Sequence, residues 1–368
     1  MINPKKLFNF LKNKNINFFT GVPDSILKNF TSSIPNNKNF IVANEGSGIA
    51  LATGHYLKKK KIPCVYMQNS GLGNAVNPLV SLAHKKVYSI PMVLLIGWRG
   101  KPGINDEPQH NVMGKITKKI LNLLDIKNTT LRNDKDFKNL SNIITYSKIN
   151  STPVACLIPP NAFSSKLKLR NNNSYLKFEV KRHEVIDTIL NIIGKKNNYE
   201  LISTTGYTSR ELNQIAVRKG NLKCKIFYTP GSMGHVGNIS LGSSMNNKKK
   251  TMCLDGDGSI LMHFGSLNDI ANFAGKNFKH ILFNNNSHES VGGQTTKSGK
   301  IDFKRVVMGL GYKNYLQIRK KKELKKKINL FLKSKGPSFL EVKICDGSIK
   351  NLTRPKNFEL IKKKFIGK

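Results

Sequence analysis

Acidic residues are scarce in this chain. Only 21 Asp and Glu stand against 62 Lys and Arg in 368 residues, a formal net charge of +41. That imbalance has two readings. One is an anionic partner such as nucleic acid or a membrane surface. The other is compositional drift toward Lys, Asn and Ile, all of which are abundant. The lysines fall in short runs at 58–61, 248–250, 320–322, 325–327 and 362–364, dispersed and without interleaved aromatics. Dispersal favours drift and leaves a basic nucleic-acid-binding protein as a remote alternative. The excess also helps to attract a small anionic substrate.

Long apolar runs are missing as well. The longest, IPMVLLIGW at 90–98, is about half of the roughly 20 residues a membrane-spanning helix needs, and it reads as a buried strand. No membrane partner is expected. Cysteine is sparse: Cys64, Cys156, Cys224, Cys253 and Cys345 are scattered, odd in number and never at metal-ligand spacing. That fits reduced thiols and a cytoplasmic location. The start, MINPKKLFNFLKNKN, has no long apolar core or small-residue cleavage site and reads without a signal peptide.

What is present is alternation. Strands are predicted at INFFTG, NFIVA, IPCVYMQ, IPMVLLIG and TPVACLI, with helices after Asp24, Glu45, Asn74 and Lys115 and near 136–148. After a polar stretch the pattern resumes with strands at YELIST, KCKIFYT, TMCLD, KHILFNN, NYLQI and SFLEVKI, and a Lys-rich helix near 320–333. Alternating strands and helices predict parallel sheets covered on both faces. We therefore expect two doubly wound α/β domains, 1–160 and 180–368, joined by a linker at 161–179. Ligands of such sheets bind beyond the carboxyl ends of the strands.

LDGDGS (254–259) stands at such a place, after a predicted strand, and a segment of helical spacing follows. Alone it is a turn. The next strand, KHILF, runs into NNNSHES, and Asn285 lies 28 residues after Asp257. A strand–helix–strand unit brings both to the same end of neighbouring strands. A carboxylate, an amide oxygen and a nearby backbone carbonyl suit a hard cation such as Mg²⁺, which reserves positions for phosphate and water. Gly256 and Gly258 allow close backbone approach, and Ser259 is expected to open a helix whose N–H groups favour an anion.

Together these residues resemble the thiamine-diphosphate-binding motif, GDG followed by NN. The resemblance implies that Asp257, Asn285 and the carbonyl of Ser287 hold Mg²⁺ against a diphosphate. Three consecutive asparagines leave open which one supplies the amide. The same resemblance implies that Glu45, in NEGSGIALATGHY, bonds the aminopyrimidine; its alternative is a helix-start carboxylate. TPGSMGHVGN resembles the segment in which Met233 supports the bent cofactor and the backbones of Gly231 and Met233 pair with the pyrimidine. QNSGLGNAVNPL, with Ser70 and Gly71, resembles the loop near the reacting ring.

Longer stretches narrow the family. FTGVPDSILKNF, VYMQNSGLGNAVNPLVSLA, IPMVLLIGWRGKPGINDEPQH, TTGYTSREL (with Gly206 and Tyr207) and NNNSHESVGGQTT look like the phosphonopyruvate decarboxylase family. One departure is Asn286, where the family usually has a small residue, often Gly. The resemblance implies the thiamine-diphosphate-binding fold without a central third domain: a pyrimidine-binding-type domain at 1–160 and a diphosphate- and Mg-binding-type domain at 180–368. It implies decarboxylation of 3-phosphonopyruvate to phosphonoacetaldehyde and CO2 through a cofactor ylide and enamine, in phosphonate biosynthesis. Sulfopyruvate decarboxylase, giving sulfoacetaldehyde, is the alternative. It further implies a homodimer or larger homo-oligomer with sites at subunit interfaces.

Substrate contacts are expected from Arg99, Asp24, Ser25 and Gln109, with Arg offering a planar fork for a phosphonate. Lys101 is as readily a surface lysine, and Asp24 or Ser25 equally a helix cap. His110 and His288 are candidate proton-transfer or orienting groups near pH 7. His55 reads as packing, and Arg210 as an anion contact or a partner of Glu211.

Overall fold

The structure is a computed structural model and describes residues 1–164, 178–245 and 247–367. Most of the expected linker, 161–179, lies outside the described residues. The chain forms two compact units. One is Met1–Asn171 with Val291–Gln294; the other is Asn172–Ser290 with Thr295–Lys368.

In the first unit, six strands form a parallel sheet: β1 (Phe19–Gly21), β2 (Asn39–Ile41), β3 (Cys64–Gln68), β4 (Val93–Gly97), β5 (Lys127–Thr130) and β6 (Val154–Ile158). Their order is β2-β1-β3-β4-β6-β5. Alternation of side chains loads both faces. Val93 and Leu95 join one apolar core, while Leu94 and Ile96 join another on the opposite face. That is why β4 reads as an unbroken apolar run.

The second unit repeats the design with β7 (Tyr199–Ser203), β8 (Lys225–Tyr228), β9 (Lys250–Gly256), β10 (Phe278–Asn284), β11 (Asn314–Ile318) and β12 (Ser338–Lys343), all parallel. The order is β11-β12-β10-β9-β7-β8. From β7 the chain winds outward to β8 and then returns to the other side as β9. The strand order therefore reverses between β7 and β9, the place where sheets of this kind bind ligands beyond the carboxyl ends of their strands. Gly206 follows β7, and the GDG turn follows β9.

Several details differ from expectation. The helix after the GDG turn begins at Asp257 instead of Ser259, and breaks after one short piece, Asp257–Met262, before resuming at Ser266–Phe273. The helix expected after Asn74 starts at Leu72, and the one expected after Lys115 starts at Pro108. The polar KNTT strand β5 and the helices Pro4–Asn13 and Phe358–Ile366 are not among the predicted elements. Four cysteines are buried, and Cys345 is partly exposed. No helix among the described residues is long and apolar enough to cross a membrane.

Candidate active site

In the second unit, four loops at the carboxyl ends of β7–β10 converge. The backbone N–H of Ser287 donates to Asp257 Oδ2 at 3.1 Å and to Asn285 Oδ1 at 3.2 Å. The Ser287 N–H thus joins the side chains of Asp257 and Asn285, two of the residues expected to hold a cation. Of the three asparagines, Asn284 spends its oxygen on the Ser298 hydroxyl and its nitrogen on Glu341, and Asn286 turns its oxygen to the Gly299 N–H. Asn285 shares the Ser287 N–H with Asp257, and Asn284 shares the Ser298 hydroxyl with it. Asn286 has φ +58. After glycine, asparagine is among the residues that best tolerate the left-handed region, so Asn286 can stand where a small residue, often Gly, is expected.

Asp257 is buried. Its Oδ2 also accepts from Thr296 Oγ1 at 2.6 Å and Ser298 Oγ at 2.9 Å. Burial lifts the carboxyl to about 6, against the lowering pull of those hydroxyls and of the Gly258 and Ser287 N–H groups. All its donors are neutral, and among the described residues no Lys or Arg pairs with it. A buried carboxylate with only neutral donors suits a divalent cation, whose charge would restore the ionised form.

Gly258, the next residue, packs closely against His288 and Met233. A Cβ built on Gly258 would sit 2.9 Å from His288 Nδ1 and 3.1 Å from Met233 Cε. His288 is buried, and burial pulls its imidazole down to about 4, so the ring is neutral at pH 7. Gly206 takes φ +84 at the start of the helix Tyr207–Lys219. The guanidinium groups of Arg182 and Arg210 lie 5.8 and 5.9 Å from the Tyr207 ring. Ser259, expected to favour an anion, uses its hydroxyl differently. It accepts from Thr204 Oγ1 at 2.9 Å and the Gly234 N–H at 3.2 Å, tying the β7, β8 and β9 loops together. Gly231 lies in this β8 loop, and Gly256 ends β9 with its N–H given to Asp255 Oδ1 at 2.8 Å.

In the first unit, Glu45 opens the helix Glu45–Lys59 behind an Asn44 cap. The helix start buries the carboxyl, and burial raises its pKa against the lowering hydrogen bond from Asn74. Asn74 Nδ2 donates to Glu45 Oε2 at 2.8 Å. A Cβ on Gly71 would collide with Glu45 Oε1, so this carboxylate lies directly over a glycine. Neighbouring Ser70 accepts from Gln68 Nε2 at 2.7 Å.

A second cluster in this unit surrounds Asp24. Its Oδ2 accepts from the Ile26 and Leu27 N–H groups at 2.9 and 3.1 Å, while buried Oδ1 has no hydrogen-bond partner. Burial lifts Asp24 to about 6, opposed by those N–H groups and by Arg99. The Arg99 fork is not free for a ligand: Nε and Nη2 both bond Asp106, and Nη1 reaches Ser25 Oγ at 3.3 Å. Gln109 donates to Glu107. His110 is drawn down to about 4 by burial and by Arg99, against Asp106. Lys101 lies over the Trp98 ring at 5.8 Å, and His55 stacks on Phe18.

Asp106, Asn74, Thr296 and Ser298 are not among the predicted site residues. Asp106 and Asn74 lie inside the quoted family-like GINDEPQH and QNSGLGNAVNPL stretches and Thr296 ends NNNSHESVGGQTT, whereas Ser298 lies beyond any quoted stretch.

Comparison with known proteins identifies the family. Residues 5–120 match the thiamine pyrophosphate enzyme N-terminal TPP binding domain, and residues 205–342 match the C-terminal TPP binding domain. Fold and site define an enzyme built around thiamine diphosphate. The chain is 30% identical to a phosphonopyruvate decarboxylase of Streptomyces viridochromogenes, over 91% of this chain and 87% of that one. It is 29% identical to another from Streptomyces hygroscopicus, over 97% and 91%. A sulfopyruvate decarboxylase of Methanosarcina acetivorans is 26% identical over 99% and 97%. The chain belongs to the phosphonopyruvate decarboxylase family of thiamine-diphosphate-dependent enzymes and is a carboxy-lyase.

Proposed function

We propose that this enzyme decarboxylates 3-phosphonopyruvate to phosphonoacetaldehyde and CO2, with thiamine diphosphate held through Mg²⁺, as a step of phosphonate biosynthesis. The observation that carries the cofactor reading is the single Ser287 N–H shared by Asp257 and Asn285, next to Gly258. The substrate reading rests on the two Streptomyces relatives.

Asp257, Asn285 and the Ser287 carbonyl would hold the cation. Gly256, Gly258 and the N–H groups around them offer a close approach for the diphosphate, and Met233 and Gly231 support the pyrimidine side. Gly206 and Tyr207 follow β7 and Ser259 follows β9, at the same reversal of strand order. Thiamine diphosphate, when bound, supplies the electron sink for the carbanion left by CO2. Glu45 keeps Oε2 on Asn74 and offers Oε1, above Gly71, to a pyrimidine ring nitrogen. A raised pKa lets that carboxyl hold the proton it shares. Ser70 and Gly71 border it.

On the substrate side, Arg99 presents Nη1 beside the Ser25 hydroxyl, and Asp106 fixes the rest of the guanidinium. Asp24 and Gln109 complete this face. His110 and His288, neutral at pH 7, serve as proton acceptors or neutral donors in preference to acids. The domains at 1–160 and 180–368 take the pyrimidine-type and diphosphate-type roles.

Sulfopyruvate is the second reading, favoured by the Methanosarcina relative that spans nearly the whole chain. Aldehyde release is to be measured with phosphonopyruvate, sulfopyruvate and pyruvate, with and without thiamine diphosphate and Mg²⁺. Turnover of phosphonopyruvate that needs both cofactors is expected. Preference for sulfopyruvate would transfer the assignment to the second reading.

A further inference from the structure

Asn285 is gripped from behind by two carboxylates. Its Nδ2 donates to Glu289 Oε2 at 3.1 Å and to Asp346 Oδ1 at 3.0 Å. An ionised carboxylate accepts and cannot donate, so both can face only the NH2 end of an amide. The amide oxygen must turn the other way. There it meets the Ser287 N–H beside Asp257.

Glu289 is itself fixed. Arg182 Nη2 donates to Oε2 at 2.7 Å, and the Gly347 N–H donates to Oε1. Arg182 is buried, stands 3.5 Å from Glu211 and faces the Tyr207 ring. The loops after β10 and β12 and the starts of two helices, Arg182–Ile193 and Tyr207–Lys219, are therefore joined through one charged network. In a chain with only 21 acidic residues, Asp257, Glu289, Asp346 and Glu211 all gather here. Their local negative potential opposes the positive field of the rest of the molecule, which would otherwise repel a divalent cation.

We propose that Glu289 and Asp346 are positioning residues that set the amide orientation of Asn285, so that its oxygen faces the divalent cation. Arg182 holds Glu289 in place for this task. The proposal rests on the reading of Asp257 and Asn285 as cation ligands. Partners of this kind behind a metal ligand typically change affinity by about 10- to 100-fold when altered.

Reversal of the polarity tests the idea. N285D keeps an oxygen ligand but removes both donors and sets a third carboxylate against Glu289 and Asp346. Adding D346N returns a donor to the pair from the opposite side. Mn²⁺ titrations with thiamine diphosphate present, followed by electron paramagnetic resonance, compare wild type, D257A, N285D and N285D/D346N, with thermal melts of each apoprotein. Expected is at least about tenfold weaker Mn²⁺ binding in D257A and N285D, and recovery to within about threefold of wild type in the double variant. If D257A binds as wild type does, the ligand reading fails and the proposal with it. If D257A is weak but N285D binds normally, or the double variant is no better than N285D, the positioning role alone is overturned. Should N285D fail to fold, E289Q carries the test. It removes one anionic acceptor and sets an NH2 within reach of the Gly347 N–H, so binding weakens about tenfold; unchanged Mn²⁺ affinity overturns the proposal.

Discussion

At the scale of one residue, Asp24 has the most direct consequence. Its folded carboxyl titrates at about 6 against an ordinary value of 3.8. Between those values the native protein binds more protons than the unfolded chain, so stability falls as pH rises through that window. The shift amounts to about 3 kcal/mol at neutral pH. The D24N substitution keeps an oxygen for the Ile26 and Leu27 N–H groups without the buried charge. D24N should therefore melt above wild type at pH 7, with the advantage vanishing near pH 4. A pH-independent difference in melting temperature would reject this account. Asp24 stands out in the sequence as a site candidate, but its burial does not, because it packs against Gly97 at the end of β4, two strands over from β1. A Cβ at Gly97 would collide with Asp24 Oδ2.

At the scale of elements, the loop after β3 meets the helix Glu45–Lys59 through a missing side chain. Gly71 has φ −74 and ψ −10, a conformation alanine adopts freely. G71A therefore tests the contact without backbone strain: its methyl needs the space of Glu45 Oε1. Displacement of a reacting carboxyl by about 1 Å costs on the order of 100-fold in kcat. Steady-state kinetics with a parallel melt check this, and wild-type kcat would refute the placement of Glu45.

Strands are legible in the sequence where both faces of a sheet are apolar, as at VLLIG and in ILF of KHILFNN. β5 escapes because KNTT lies at a sheet edge, half exposed, where no apolar run is required. The GDG helix starts two residues earlier than its glycines suggest, because Asp257 is both first helical residue and site carboxylate. Arg99 is recognisable as a cation for the site, yet its pairing with Asp106 depends on the fold of an intervening loop, which spacing alone does not disclose.

At the scale of the whole molecule, Glu45 and Asp257 belong to different compact units. We propose that a complete site draws Glu45 from one copy of the chain and Asp257 from another, in a homodimer or larger assembly. E45Q and D257A should each be nearly inactive. Mixed and reassorted at equal ratio, they should regain about a quarter of wild-type activity, since half the dimers are mixed and each mixed dimer holds one intact site. No recovery despite demonstrated subunit exchange would show that both groups come from one chain. The positive surface bears on this scale too, because +41 distributed over dispersed lysines favours encounter with anionic substrates at low ionic strength.

The thiols carry one more consequence. Cys64, Cys156, Cys224 and Cys253 are sealed in the cores, while Cys345 is partly open and directly precedes Asp346. Partial burial raises the Cys345 thiol above its ordinary pKa, so an alkylating dye added to the folded enzyme should reach this position selectively only at alkaline pH. Mass spectrometry after such labelling is expected to find the dye on Cys345 alone, which would give the chain a reporter site without an engineered cysteine.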